Sequence, residues 1–122
     1  MTTAEIAKEL VQRCRKGENA KARELFYSRE IVSVEAADMP NMPREMHGIE
    51  AAKNKSDWWA THHTVHSASA TGPFTAVDKF AVVFDYDVTF KPTGQQREMF
   101  EVAVYTVAKG KIVHEEFLYQ GV

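Results

Sequence analysis

Acidic and aromatic side chains crowd the second half of this chain. Asp85, Asp87, Glu101 and Glu115 lie in stretches where apolar and polar residues alternate, with Tyr105 among them and Phe117 and Tyr119 just beyond. A carboxyl group enclosed in an apolar hollow is driven toward its neutral form and can then trade protons near neutral pH. A phenol beside it can donate a hydrogen bond to a carbonyl oxygen on which charge develops. Together such groups suit proton transfer next to a carbonyl. Glu101 or Glu115 would serve as one proton carrier and Tyr105 as the stabiliser. For Tyr105 the competing reading is plain aromatic packing against Trp59.

Three histidines, His62, His63 and His66, could supply the second proton carrier. They do not suit a metal. On a strand His62 and His66 share a face but stand about 13 Å apart, so no metal site is expected. His62 and His63 fall at a helix–strand junction, whereas His66 lies inside the strand pattern. His66 is therefore expected to face the acids, the alternative being a strand-edge histidine bonded to a loop. Cys14 sits on an apolar helical stripe with no activating partner in view. The chain has no phosphate-cradling glycine loop and no serine nucleophile elbow.

The elements that must position these groups divide the chain into a helical first half and a strand-rich second half. Thr2 and Glu5 form a potential capping box ahead of Ile6, Leu10, Val11 and Cys14, and Gly17 supplies a stop. Asn19 can cap a second short helix bearing Ala22, Leu25 and Phe26. A strand is expected at Ile31–Glu35. A loop with Pro40, Pro43 and the methionines Met39, Met42 and Met46 follows, either as a flexible apolar cover or packed on the core. Gly48 opens a third helix whose stripe Ile49, Ala52, Ser56 and Trp59 points Trp59 inward. Four antiparallel strands then run from Val65 onward. The pattern is α+β, with helices on one face of a curved sheet.

Turn chemistry suggests a register. In Lys91-Pro92-Thr93-Gly94-Gln95, proline suits a type I turn and Gly94 the left-handed residue after it, pairing Lys91 with Gln95. Tyr86 then opposes Phe100, Phe84 opposes Val102, and Asp85 opposes Glu101. At the next turn Gly110 takes the left-handed position and Val107 pairs with Lys111. A two-residue turn at Lys109-Gly110 would need Lys109 at positive φ, which is disfavoured. In this register Phe80, Val82, Phe84, Tyr86, Phe100 and Val102 share an apolar face with Ile112. The acids share the other with Tyr105, Phe117 and Tyr119. That second face is either wet or the wall of a hollow. Asp85 against Glu101 is a like-charge pair, easier to keep where one member holds a proton or a cation bridges them. The apolar face is too large for a monomer surface, so a homodimer through the open sheet face is expected.

Composition bounds the rest. The chain has 122 residues, 44% hydrophobic and 26% charged. That fits one domain over 1–122 with a core of its own. A net charge of −2 speaks against nucleic acid as a partner. No apolar run reaches the ~18 residues of a membrane span. One cysteine permits no internal disulfide, and Met1–Glu5 carries no basic-then-apolar leader pattern, so a cytoplasmic location is expected.

Gly48-Ile49-Glu50, Trp59, Gly72-Pro73-Phe74, Phe80-Ala81-Val82, Asp87-Val88-Thr89, Val104-Tyr105-Thr106-Val107 and Gly110-Lys111-Ile112-Val113 occur in an order that resembles the nuclear-transport-factor-2-like superfamily, and within it the SnoaL-like branch. The resemblance implies a cone-shaped α+β fold with N-terminal helices on a curved, mixed sheet and a ligand between them. The cone would be walled by Trp59, the methionine loop and Tyr119, with Asp85, Asp87, Glu35 and Phe117 as further ligand-binding candidates. The acid that SnoaL-like cyclases use for proton transfer would fall at Ala103, so it is missing, but that position implies that Glu101, Ala103 and Tyr105 face the cone. The base of the ketosteroid isomerases would fall at Glu35, and their helix tyrosine falls on Leu10 or Val11, so that machinery is not carried over. The expectation is a cone for an apolar, cyclic small molecule, without cofactor, acting as an isomerase, cyclase or dehydratase. The alternative is a non-catalytic dimeric module that binds a ligand or a protein.

Overall fold

The computed structural model describes residues 1–39 and 41–120. Pro40, one of the two loop prolines noted above, lies outside them. Helix α1 (Thr3–Arg15) starts at the predicted box: the Glu5 N–H donates to the Thr2 hydroxyl, and the Thr2 N–H donates to the Glu5 carboxylate. Its buried stripe is Ile6, Ala7, Leu10 and Val11. Helix α2 (Asn19–Phe26) runs directly into strand β1 (Tyr27–Val34), so the strand begins four residues earlier than its apolar pattern suggested. Asn19 is the first helical residue rather than the cap, and Glu18 in the cap position makes no side-chain capping bond.

A three-residue strand, β2 (Glu45–His47), lies inside the stretch expected to be all loop. Gly48, at φ 94°, turns the chain into α3 (Ile49–His62). The long strands follow: β3 (His63–Thr75), β4 (Lys79–Phe90), β5 (Gln95–Ala108) and β6 (Lys111–Leu118). The sheet order is β2-β1-β6-β5-β4-β3. All neighbours are antiparallel except β1 and β6, which run parallel. The architecture is α+β, with helices on one face of a curved, unclosed, mixed sheet. Helix α1 packs on β3 and β4, and α3 on β1, β2 and β3. No helix among the described residues is long and apolar enough to cross a membrane.

The register of the two hairpins differs from the one expected, and the difference decides which side chains meet. Phe90, not Lys91, pairs with Gln95, so the first loop holds four residues, closed by the Gly94 N–H donating to the Phe90 carbonyl at 2.8 Å. One added loop residue slides β4 by one against β5. Phe84 opposes Glu101, Val82 opposes Ala103 and Phe80 opposes Tyr105, while Asp85 opposes Phe100. The like-charge Asp85–Glu101 pair does not exist. At the second turn Ala108 pairs with Lys111, and both Lys109 (φ 52°) and Gly110 (φ 73°) are left-handed. This is the two-residue turn that the cost of positive φ at lysine argued against; the match to strand twist outweighs that cost. A bulge then shifts the pairing between Thr106 and Val107, so that Ile112 and Glu115 are both buried.

Phe80, Val82, Phe84, Ala103, Tyr105 and Ile112 therefore lie in one core with Ile6, Leu10 and Val11. The phenylalanines of β4 are under the helices and do not form an open apolar face. The open face carries Phe100 and Leu118, 60% and 47% exposed, with Asp85 and Asp87. Because Phe84 is only 4% exposed, Phe84→Ala is expected to cost about 3–5 kcal/mol in urea unfolding. A loss below about 1 kcal/mol would return Phe84 to the open face.

Candidate functional site

The inner end of the sheet is organised by a lysine. Helix α3 presents Ala52, Lys55 and Trp59 to the sheet, a stripe rotated by one residue from the expected one through Ser56. Lys55 is 7% exposed. Its ammonium donates to Glu35 Oε2 at 2.7 Å and to Ser33 Oγ, and stands 4.8 Å from the centre of the Phe117 ring. Ser33 Oγ donates in turn to Glu115 Oε2 at 2.7 Å, and the Tyr27 hydroxyl donates to Glu115 Oε1. At the other end the Tyr119 hydroxyl donates to Glu35 Oε1 at 2.9 Å. A continuous chain of hydrogen bonds thus runs Tyr119–Glu35–Lys55–Ser33–Glu115–Tyr27. Burial, then the neighbouring Glu115, pushes the Tyr27 phenol far above its ordinary range, and burial and Glu35 do the same for Tyr119.

Glu101 stands beside this chain but outside it. Among the described residues its carboxyl has no hydrogen-bond or ion-pair partner. Burial chiefly, with the charges of Glu35 and Glu115, raises its carboxyl to about 7, and Lys55 opposes the shift. Glu101 lines a cavity of about 530 Å³. The cavity opens where β6 ends: Leu118 is the last residue of β6 paired with β5, opposite Val102, and β5 continues past it back to Gln95. Arg97, Met99, Glu101 and Tyr119 contribute to its wall, with Phe100 and Leu118 on the other side of the sheet. Deeper along β4, Tyr86 lies 5.4 Å from Trp59, centre to centre. The His63 ring stacks on Trp59 at 4.4 Å, and its Nδ1 donates to the Trp59 carbonyl at 2.8 Å. Burial above all, and Arg97 among its neighbours, lowers the His63 imidazole.

The sheet divides the residues singled out from the sequence. Glu35, Trp59, Glu101, Glu115, Phe117 and Tyr119 do gather on the helix side. Glu115 is 3% exposed, with both oxygens engaged, so it is a support of the site and not a wall of the cavity. Tyr105 faces inward but is sealed in the core, its ring stacked on Phe80 at 4.8 Å and not on Trp59. His66 does not face the hollow. It is exposed and bonded to Thr89 Oγ1 at 2.7 Å, because the bulge between Val65 and Ser67 turns it out; His63 is the inward histidine. Asp85 and Asp87 line a shallow depression on the open face with Ser67, Ser69 and Glu98. Among the described residues, the loop methionines are absent from the cavity wall; Met39 and Met42 bridge each other and Met46 is buried.

Lys55, Ser33, Tyr27 and Arg97 escaped the sequence reading as site residues, and His63 was one of three candidate histidines among which His66 was preferred. A signal existed for two of them. Lys55 falls three residues after Ala52 and four before Trp59, and Ser33 is two residues before Glu35 on a strand. Among the described residues no group of three or more His, Cys, Asp or Glu side chains is arranged to hold a metal.

The SnoaL-like domain family matches residues 1–119. A crystal structure from Mesorhizobium loti, provisionally described as a SnoaL-like polyketide cyclase with carbohydrate phosphatase named beside it, is 44% identical with a TM-score of 0.92, over 98% of this chain and 100% of that one. An NTF2-like protein of Burkholderia thailandensis is 21% identical, TM-score 0.82, over 98% and 92%. A Bacillus subtilis protein provisionally described as an isomerase is 15% identical, TM-score 0.75, over 97% and 86%; these last two share the fold. A search of curated proteins finds no match.

The state of Glu101 makes stability depend on pH. Its carboxyl is raised from 4.5 to about 7 on folding, so the folded chain holds a proton that the unfolded chain has lost. That stabilisation is complete below pH 4.5 and disappears as pH rises through about 7. Glu101→Gln is expected to exceed the parent in stability by up to roughly 3 kcal/mol above that range, and to match it at low pH, in urea titrations across pH. Parallel curves would place Glu101 in water.

Proposed function

The chain belongs to the SnoaL-like domain family, and from that membership we propose that it binds an apolar, cyclic carbonyl compound in the cavity beside Glu101 and moves a proton on it without a cofactor. The observation that carries this reading is one unpaired carboxyl on the cavity wall, next to a second carboxylate, Glu35, that Lys55 and Tyr119 already engage. Two acids in unlike environments divide the labour of base and support. Glu101 in its ionised form takes a proton from the carbon next to the carbonyl, and the electron pair moves onto the carbonyl oxygen. Returning that proton to another carbon gives an isomerisation; loss of hydroxide from the neighbouring carbon gives a dehydration. Tyr119, a phenol on the same wall that keeps its proton, takes the stabilising role expected of Tyr105 by turning its O–H from Glu35 to the carbonyl oxygen as charge develops there. Trp59 and Tyr86 supply flat apolar surface for a ring.

A binding module without catalysis is the second reading, favoured by Ala103 where the resemblance places the cyclase acid. Proton–deuterium exchange at the carbon next to the carbonyl separates the two. With cyclic ketones in D2O followed by NMR, the parent is expected to accelerate exchange, with the rate falling as pH drops below about 7. Glu101→Gln should lose about a hundred- to ten-thousand-fold of it. Equal exchange by parent and variant would leave the binding module standing.

The homodimer belongs to the same proposal. Phe100 and Leu118 are exposed on the open sheet face and also border the cavity, so a second copy packed there would roof its outer side. Phe100→Lys with Leu118→Lys is expected to lower the sedimentation coefficient from that of a dimer to that of a monomer. An unchanged value would put the contact elsewhere.

A further inference from the structure

We propose that the ligand of this cavity carries a single carboxylate on its apolar ring and that Arg97 holds that carboxylate. The inference rests on the cavity reading above and adds a ligand class to it. Arg97 lies on β5 opposite Val88, which is fully buried, and shares the parity of Met99 and Glu101. It lines the same cavity. Its Nε is buried and makes no hydrogen bond. Among the described residues no carboxylate pairs with its guanidinium, although Glu98 and Glu101 are near in sequence and line the same space. A donor taken out of water without a partner is an unmet cost, and a ligand acceptor removes it once the guanidinium turns toward the cavity.

The spacing selects the shape of the ligand. Arg97 and Glu101 are four residues apart on one strand face, about 13 Å between Cα atoms, with Met99 between them. One or two fused rings lying over Met99 fill that gap and put a carboxylate at one end and the reacting carbon at the other. A planar guanidinium matches a carboxylate edge to edge. A dianionic phosphate would suffer more than a monoanion from Glu98 and Glu101 in the same wall.

Binding of 2-naphthoate and 2-naphthamide, two probes of equal shape, tests this by calorimetry with NMR shifts to locate them. The parent is expected to bind the carboxylate roughly ten- to a hundredfold more tightly, with the Arg97 Nε–H resonance moving on binding. Arg97→Met should bring the carboxylate down to the affinity of the amide. Arg97→Lys, which keeps charge without the fork, should retain only part of the preference. Equal affinity of the two probes in the parent, or a preference that survives Arg97→Met, would overturn the role of Arg97 and leave the cavity reading intact. Failure of both probes to shift cavity residues would overturn both.

Discussion

A buried ammonium group constrains this structure more than any other single feature. Lys55 is taken out of water by α3, and an ion so placed is tolerable only where geometry and further hydrogen bonds replace its hydration. Glu35 at the end of β1, Ser33 within it and the Phe117 ring on β6 together do so. The demand spreads outward. Glu35 needs Tyr119, Ser33 donates its own hydrogen bond to Glu115, and Glu115 needs Tyr27. The sheet under α1 is apolar, built on Phe80 and Val82; the sheet under α3 is a polar network. That division leaves Glu101 at the border, close enough to feel the charges of Glu35, Lys55 and Glu115 yet bonded to none.

What was legible in the sequence was local. The Thr2–Glu5 box, the glycine ahead of α3, the helical half and the strand-rich half depend on neighbours in the chain, and each is present in the fold. The strand register depends on a single residue in the Lys91–Gly94 loop, and there the preference for apolar opposite apolar pointed the wrong way. That preference assumes an interior without acids. Here Phe84 faces Glu101 across the ladder because the interior holds a carboxyl, and the ordinary pattern breaks at the place where chemistry is proposed. The family resemblance put Glu101 on the cone side through the position of Ala103, a criterion that does not pass through the β4–β5 loop.

Lys55 was hidden for a related reason. Hydrophobic periodicity discards charged residues, so a lysine on the inner stripe reads as the edge of the outer one and the stripe is drawn through Ser56. The acids were sorted imperfectly for want of one bulge and one turn. Glu101 and Glu115 are inside, whereas Asp85 and Asp87 face out, so the cone carries fewer negative charges than the alternation suggested. Three carboxyls, Glu35, Glu101 and Glu115, against one lysine is a balance in which one acid can stay neutral.

The parallel pairing of β1 with β6 has a consequence for how the molecule comes into being. Ser33 meets Glu115 across 82 positions of sequence, and Glu35 meets Tyr119 across 84. During synthesis the first strand and the lysine helix emerge long before their partners exist. Contacts so distant along the chain close slowly, after the local hairpins have formed. The polar end of the cone thus closes only once β6 is present, and Phe117 must leave the ribosome before Lys55 has its full set of neighbours.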